Sequence, residues 1–305
     1  MSIIVKSFAV GAGDTFYIRH GSDNFTIIDC DLCNENKDQI IEELKRESAN
    51  KGVKRFISTH PDEDHYGGIH LLDKAMPIQN FYVVKNNVIK ERDTESFQHY
   101  CKLRDGNKAF HISKGCKKKW MNLYDNKRDS SGINILWPNR DNPYFKIALK
   151  ECNEGRSPNN ISAVIRYKIK DGASFLWIGD LETEFMENIF DDIELEKTTI
   201  VFASHHGRKS GKIPDSWLEK LDPQIIVIGE APFRHLHYYS GYQKLTQNRA
   251  GDITMECIED KVHFYSSNGN YKTTANLEYN YRDTYEYYFG SLTVEKEYTL
   301  INMRK

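Results

Sequence analysis

The sequence predicts an α/β fold in which two β-sheets are sandwiched between helices. Two observations lead to this prediction. Short apolar strands joined by tight turns open the chain, and Gly11-Ala12-Gly13-Asp14 is the first of these turns. Further along, apolar strands alternate with amphipathic segments, as where residues 199–203 and 224–228 flank a helical pattern at 214–221. Strand runs followed by strand–helix alternation are typical of layered α/β folds.

Each predicted element is bounded by residues that start or stop regular structure. Gly52 closes the first helical pattern, Pro138 stops a strand, and Lys170-Asp171-Gly172 forms the turn of a hairpin. The predicted strands span residues 3–10, 15–19, 25–28, 55–58, 81–84, 133–137, 161–169, 174–178, 199–203, 224–228, 254–258 and 262–265. The predicted helices span residues 37–49, 69–74, 95–103, 184–190 and 214–221.

Composition argues against several classes of protein. No apolar run in the 305 residues approaches the length that spans a bilayer, so we expect no membrane association. The N-terminus lacks the pattern of a signal peptide, and a cytoplasmic location is the expectation. The net charge of −2 gives no global field that would attract nucleic acid. We interpret the six cysteines as reduced thiols, although Cys30 and Cys33 have the spacing of half a zinc site.

One hydrolase domain is predicted over residues 1–275, with an insertion at about 85–158 near the cleft. Within the insertion, basic and aromatic residues are interleaved between Lys102 and Arg128. Such a stretch is either a surface that tracks phosphates and stacks on bases or a solvated loop. Residues 276–305 form a Tyr-rich β extension, which is expected to add edge strands or to bind a protein partner.

The strongest chemical signal follows the predicted strand at 55–58. Four side chains of the kind that bind metals, His60, Asp62, Asp64 and His65, occur within six residues. A loop at the end of a strand can bring such side chains to one point, because the sheet fixes their origin. We expect His60 and Asp62 to bind one ion, and Asp64 and His65 a second ion beside it. The alternative is a polar, solvated turn.

Two later strands also end in residues of this kind. Asp180 ends an apolar strand and is predicted to bridge two cations about 3.5–4 Å apart, although it is also placed to cap the following helix. His205 and His206 follow the strand at 199–203. We favour His205 as the metal ligand and place His206 in the cleft, because adjacent side chains at a strand end diverge. The pattern leaves the choice between the two open.

A third strand end, after residues 224–228, leads to Arg234-His235-Leu236-His237. His237 is predicted to donate a proton or to contact a phosphate, the alternative being a surface histidine. Asp64, His206 and His237 are the predicted catalytic residues.

Six short motifs follow one another between about residues 3 and 270. They are Val10-Gly11-Ala12-Gly13-Asp14-Thr15, Ile27-Ile28-Asp29, His60-Pro61-Asp62-Glu63-Asp64-His65-Tyr66-Gly67-Gly68, Ser157-Pro158-Asn159-Asn160-Ile161-Ser162 with Ile178-Gly179-Asp180, Ser204-His205-His206-Gly207, and residues 229–237. In this order they resemble the metallo-β-lactamase superfamily. More narrowly, they resemble the hydrolase domain of ComEC-type DNA-uptake proteins, here in a free-standing form.

The resemblance implies an αββα four-layer sandwich with two divalent ions, Zn²⁺ or Mn²⁺, at one edge and a metal-bound hydroxide as nucleophile. Asp62 stands where the commonest superfamily motif has histidine, and an oxygen ligand favours manganese or magnesium over zinc. No histidine between His65 and Asp180 matches the third ligand of the first metal site in classical lactamases. We expect Asn159, Asn160 or Ser162 to line that position, or water to occupy it.

A metal-dependent hydrolase is therefore predicted, specifically a phosphodiesterase or nuclease that acts on nucleic acid or nucleotides. His237 or His206 would contact the phosphate or protonate the leaving oxygen, a contribution typically of about 10²–10⁴-fold. The basic insertion and residues 139–160 are expected to frame the cleft. One alternative is hydrolysis of a lactone, thioester or other acyl ester by the same fold, which an apolar cleft would favour. Another is a non-catalytic binding module in a larger assembly.

Overall fold

The computed structural model describes residues 2–295. Its strands are β1 (Ile3–Ser7), β2 (Phe16–Arg19), β3 (Asn24–Ile28), β4 (Cys30–Asp31), β5 (Val53–Ser58), β6 (Phe81–Val83), β7 (Ala109–His111), β8 (Ile133–Trp137), β9 (Val164–Lys168), β10 (Ser174–Trp177), β11 (Ile200–Phe202), β12 (Ile225–Ile228), β13 (Lys244–Thr246), β14 (Ile253–Ile258), β15 (Lys261–Ser266) and β16 (Tyr288–Thr293). Its α-helices are α1 (Lys37–Ser48), α2 (Glu63–Tyr66), α3 (Ile69–Ala75), α4 (Glu95–Arg104), α5 (Pro143–Asn153), α6 (Thr183–Asn188), α7 (Asp215–Leu221) and α8 (Gln247–Ala250).

All of these strands except β4 form two sheets. The first has nine strands in the order β16-β15-β14-β1-β2-β3-β5-β6-β7, and the second has six in the order β13-β12-β11-β10-β9-β8. In the first sheet β3, β5, β6 and β7 run parallel, and in the second β10 to β13 run parallel. Parallel strands bring their carboxyl ends to one edge of a sheet, which is where ligands bind in open α/β sheets.

The two sheets pack face to face, with helices on their outer sides. Phe16 of β2 contacts Trp177 of β10 and Phe202 of β11, with ring centroids 6.0 and 4.9 Å apart. The next residue along β2, Tyr17, points to the opposite face, where its hydroxyl donates to Glu43 of α1 at 3.1 Å. The predicted sandwich of two sheets between helices is confirmed.

Helix α5 was not among the predicted helices. Asn142 caps it by accepting a hydrogen bond from the Phe145 backbone at 3.0 Å, and Pro143 occupies its first turn. Phe145 packs edge-on against Trp137 of β8, and Phe185 of α6 packs against the same indole. The helix therefore covers the outer strand of the second sheet.

The basic stretch of the insertion runs away from the carboxyl edge. The Trp120 carbonyl accepts from Arg55, near the start of β5, and Arg128 pairs with Asp23, which precedes β3. The Met121 carbonyl accepts from the Ile133 backbone at the start of β8. The prediction that this stretch frames the cleft is wrong for residues 120–131, because they lie at the opposite edge of the sheets, where β8 begins.

The described part of the Tyr-rich extension adds a strand to the first sheet. Strand β16 pairs antiparallel with β15, with Phe264 opposite Gly290. Residues 296–305, including Tyr298, lie outside the described residues. The domain boundary at residue 275 and the partner proposed for the extension stay predictions. Among residues 2–295, no helix has the length and apolar character that crossing a bilayer requires.

His20 links the stability of this fold to pH. Its buried Nε2 lies 2.9 Å from the Thr26 hydroxyl, and burial, with the charges of Arg55 and Lys51, lowers its pKa well below 6.5. Since an unfolded histidine titrates near pH 6.5, the unfolded state binds more protons below that pH and acidification favours unfolding. We expect the free energy of unfolding to fall by up to about 1.4 kcal/mol per pH unit more in the wild type than in His20→Gln.

Urea denaturation of both proteins, from pH 6.5 downward, measures this difference. Chelator is present throughout, so that loss of metal at low pH does not contribute to either slope. Parallel pH profiles for the two proteins would show that His20 is not the group responsible.

Candidate metal centre

The candidate centre lies where β3, β5, β10 and β11 end. Asp29 follows β3, residues 59–65 follow β5, Asp180 follows β10, and residues 204–206 follow β11. The Gly11–Asp14 turn between β1 and β2 closes the site from the first sheet. Side chains from these five segments lie within hydrogen-bonding or ion-pairing distance of one another, so the strand ends of both sheets meet at one edge.

Asp29 organises the segment that follows β5. Its carboxylate accepts from the Thr59 backbone at 2.7 Å, from the Thr59 hydroxyl at 2.5 Å and from His65 Nδ1 at 2.8 Å. Asp29 is 1% exposed, so these three donors replace the water that its charge loses. The buried aspartate therefore sets the position of the loop and the orientation of one imidazole.

The Gly11–Asp14 turn makes a close approach to the same loop. The Asp14 backbone donates to the Asp64 carbonyl at 3.1 Å, and a Cβ on Gly13 would lie 2.5 Å from that oxygen. Glycine is required at position 13 because any side chain there would push the two backbones apart. The approach places the Asp14 carboxylate 3.0 Å from His206 Nδ1.

His205 and His206 both adopt left-handed backbone conformations, with φ of 52° and 55°. Such angles are uncommon for residues other than glycine. The turn directs both rings towards Asp180, whose Oδ2 lies 3.6 Å from Nε2 of each. The expectation that these adjacent side chains diverge is therefore wrong: it assumed an extended backbone, and the chain leaves the strand at this point.

In each of the four histidines of the cluster, a neighbouring side chain lies within hydrogen-bonding distance of Nδ1. The distances from Nδ1 to these partners are 3.1 Å for His60 to Thr59, 2.8 Å for His65 to Asp29, 2.9 Å for His205 to Ser210 and 3.0 Å for His206 to Asp14. A partner at Nδ1 fixes the ring orientation and favours Nε2 as the atom that binds a metal.

Asp180 lies at the centre of the cluster. Its Oδ1 is 3.2 Å from His65 Nε2, and its Oδ2 faces the imidazoles of His205 and His206. It is 2% exposed, and its backbone donates to the Ser162 hydroxyl at 3.0 Å. Helix α6 begins at Thr183 with Glu182 as its N-cap, so the alternative role of Asp180 as a helix cap is wrong.

Several buried polar atoms of the cluster have no hydrogen-bond partner among residues 2–295. They are His60 Nε2, His65 Nε2, His206 Nε2 and Asp180 Oδ1. Leaving a buried polar atom unpaired costs about 1–3 kcal/mol, which indicates that a ligand satisfies these atoms.

Part of the cluster has the geometry of a cation site. Asp14, His65, Asp180 and His206 each offer one ligand atom, and the four atoms lie within 4.8 Å of one another. Ligand atoms at about 2.0–2.1 Å from a tetrahedral zinc lie roughly 3.3 Å apart. Two observed separations are close to this spacing. His65 Nε2 lies 3.2 Å from Asp180 Oδ1, and His206 Nε2 lies 3.6 Å from Asp64 Oδ2.

Opposing charges shift the pKa values of the cluster. Burial lowers the pKa of His60 to about 4, with a further contribution from His65. Burial would also lower the pKa of His206, but the carboxylates of Asp14 and Asp180 raise it to about 10. The pKa of Asp64 falls to about 2 because hydrogen bonding to His206 and the charge of His65 outweigh its burial. The carboxylate of Asp64 is therefore ionised at neutral pH, as metal binding requires.

Asp62 lies at the rim of the centre. Its Oδ1 accepts from the Glu63 backbone at 3.0 Å, as the N-cap of α2, and from Lys90 Nζ at 2.7 Å. Asn160 was one of the residues expected at the position of the third ligand of the first metal site. Its side chain donates to Glu182 at 3.0 Å. Lys90 lies near one end of the insertion and Asn160 just beyond the other, so these ends, unlike its basic middle, approach the site.

His237 is not brought into the cluster. It is exposed and lies in a groove with Arg234 and Lys272, its ring packed on Tyr238 at 4.9 Å. The 3₁₀ turn Phe233–His235 carries the chain away from the end of β12 before His237 is reached. Its proposed role as a proton donor stays a prediction that this placement does not favour.

The sequence-based assignment placed neither Asp14 nor Asp29 among the site residues. Both stood in recognised motifs, the opening turn and the end of a strand. The signal that could have identified Asp29 is an acid at the end of a buried apolar strand, the argument that singled out Asp180. Asp14 follows a glycine-rich turn and carries no such signal. The remaining predicted residues, His60, Asp64, His65, Asp180, His205 and His206, lie together.

Residues 9–98 match the model of the Metallo-beta-lactamase superfamily. Over this part of its length the chain is similar to that superfamily. It is also similar to ComE operon protein 3 of Bacillus subtilis (strain 168), with 24% identity over 201 residues, which is 65% of this chain and 22% of that protein. The chain thus spans about a fifth of that relative's length. The resemblance inferred from the motifs is confirmed.

Two solved structures are similar to this chain. One is Igni18, described as a novel metallo hydrolase from the hyperthermophilic archaeon Ignicoccus hospitalis KIN4/I, with a TM-score of 0.44 and 16% identity, covering 75% of this chain and 83% of that chain. The other is CmlA, a diiron beta-hydroxylase from Streptomyces venezuelae, with a TM-score of 0.41 and 10% identity, covering 75% of this chain and 44% of that chain.

Proposed function

We propose that this chain is a metal-dependent phosphodiesterase that cleaves nucleic acid. The observation that carries the proposal is the set of buried, unpartnered ligand atoms around Asp180. Buried nitrogen and oxygen atoms that converge without hydrogen-bond partners are costly in the absence of a cation. The superfamily match supports a hydrolase, and the phosphodiester specificity is our inference from the charges around the site.

Two divalent ions would share Asp180. One would be held by Asp64, His65 and His206, and the other by His60 and Asp62. Metal ions in such sites supply a hydroxide nucleophile at neutral pH and neutralise phosphoryl charge. The mixed carboxylate and imidazole ligands are compatible with manganese as well as zinc.

The protein's own residues hold these ligands in place. Asp29 and Asp14 accept from the Nδ1 atoms of His65 and His206, which keeps Nε2 of each ring directed into the site. Because Asp14 already holds His206, we reassign His206 from the cleft to the metal. His205 is the more exposed of the two adjacent histidines, with 15% of its side chain accessible, and it would contact the substrate phosphate.

Positive charge at the rim favours a phosphodiester over an acyl ester. Lys90 lies beside Asp62. Arg208 follows the two histidines, and its charge contributes, after burial, to the lowered pKa of His205. Cationic side chains stabilise the charge that develops on a transferring phosphoryl group, whereas an acyl substrate would be favoured by an apolar rim.

The purified protein, stripped with chelator and reloaded with Mn²⁺ or Zn²⁺, tests the proposal. We expect hydrolysis of bis-p-nitrophenyl phosphate and of single-stranded DNA, loss of both activities on chelation, and two bound ions per chain by elemental analysis. Turnover of p-nitrophenyl acetate or a thioester without phosphodiester cleavage would replace the proposal with the acyl-ester alternative. A protein that binds no metal and hydrolyses none of these substrates would be a binding module.

A further inference from the structure

A basic groove lies at the carboxyl edge of the second sheet, beyond the ends of β12 and β13. Its lining includes Arg234, Lys244, Arg249 and Lys272, and no acidic residue is among its described lining residues. Within residues 2–295, none of the four forms an ion pair with a carboxylate, although the chain has more acidic than basic residues. Such uncompensated charge in a protein of net charge −2 indicates an anionic partner.

The groove adjoins the centre through the end of β12. Gly229, directly after that strand, lies against His206, where an added Cβ would approach the histidine Cβ to 3.1 Å. Two residues later, Ala231 exchanges hydrogen bonds with Asn248 of α8 at 3.2 and 3.0 Å. Arg249 is the next residue of that helix, so a chain of direct contacts connects the groove with the metal ligands.

Aromatic side chains accompany the cations. Phe233 lines the groove and is 75% exposed, which is unusual for a phenylalanine, and Tyr271 lines the same groove. Arg234, which lines the groove, donates from Nε to Nε2 of the neighbouring His235 at 3.2 Å.

We infer that this groove binds a single strand of nucleic acid and leads it to the metal centre. The inference rests on the proposed function and names its substrate class. Proteins that bind single strands combine a cationic groove, which follows the phosphates, with aromatic rings on which bases stack. The groove has a volume of about 450 Å³, within the range of sites that enclose ligands of nucleotide size.

Binding of a fluorescein-labelled, phosphorothioate-linked oligothymidylate to the metal-loaded protein tests the inference. The double variant Arg249→Gln/Lys272→Gln should weaken binding at least about tenfold, and it should flatten the slope of log K against log[salt] by about 1.4, about 0.7 per lost phosphate contact. Phe233→Ala should weaken binding by about 5- to 100-fold through lost stacking, with little change in the salt slope.

The matched control is Lys117→Gln/Lys119→Gln, which removes the same charge from the basic stretch that runs to the opposite edge. This control should bind like the wild type, and melting temperatures of all variants confirm folding. The inference would be overturned if the groove variants bound the oligothymidylate like the wild type, or if the control lost as much affinity as they do. Equal affinity of the wild type for duplex DNA and for the single strand would also overturn it. Hydrolysis of bis-p-nitrophenyl phosphate by the wild type reports separately on the proposed function, so failure of one is distinguishable from failure of the other.

Discussion

Asp180→Asn is expected to lower kcat for phosphodiester hydrolysis by at least about 10³-fold. The carboxylate faces His65 on one side and the imidazoles of His205 and His206 on the other, and the amide lacks the charge that two cations would share. Metal ions contribute several kcal/mol to the stabilisation of transition-state charge, and each 1.36 kcal/mol corresponds to a factor of ten in rate. Bound metal should fall below two ions per chain.

Steady-state kinetics and elemental analysis of the reloaded variant measure these changes. Asp171→Asn is the control, because Asp171 lies at the opposite end of the β9–β10 hairpin, is exposed, and has a left-handed backbone that asparagine adopts readily. The control should retain full activity and full metal content. A variant at Asp180 that kept both ions and wild-type turnover would remove the basis of the proposed function.

Asp29→Asn is expected to weaken metal binding by about 10- to 100-fold, although Asp29 itself binds no metal in the proposal. Its carboxylate accepts from His65 Nδ1 and from Thr59. The neutral amide accepts fewer hydrogen bonds, and residues that orient metal ligands typically contribute a factor of this size. Competition with a fluorescent chelator measures the change in Kd.

A loss of stability accompanies this change, because buried donors lose their acceptor, at a cost of about 1–3 kcal/mol. The control is therefore Asp73→Asn, which weakens a similar pair, Asp73 Oδ2 with His99 Nε2 at 2.8 Å, away from the centre. This variant should also lose stability but keep its affinity for metal. If both variants weakened metal binding equally, Asp29 would have only a general structural role.

Several features of the fold and of the centre were predictable from local pattern. The strands predicted at 25–28, 55–58 and 199–203 are followed directly by polar residues, and the structure places strands there. Buried strands read as continuous apolar segments, so their ends, and the acids and histidines that follow, are visible in the sequence. Helix α5 also had a local signal, Asn142-Pro143, which the sequence-based assignment did not use.

The position of the basic surface was not predictable in this way. The conspicuous run of basic residues between Lys102 and Arg128 extends to the opposite edge of the sheets. The basic groove is instead lined by four basic side chains from separate parts of the chain, Arg234, Lys244, Arg249 and Lys272. A surface assembled from separate segments has no local pattern, because only the packing of β12, β13 and α8 brings these residues together.

The sequence by itself determined which residue types stand at the ends of the buried strands, and hence that a cation-binding edge was expected. Only the tertiary structure decided which atoms face that edge. The left-handed turn at His205 and His206 and the partners at each Nδ1, among them Asp14 and Asp29, arise where separate segments pack. The physical reason is that strand and helix patterns reflect local burial, whereas the direction of an imidazole is set by hydrogen bonds from residues distant in the chain.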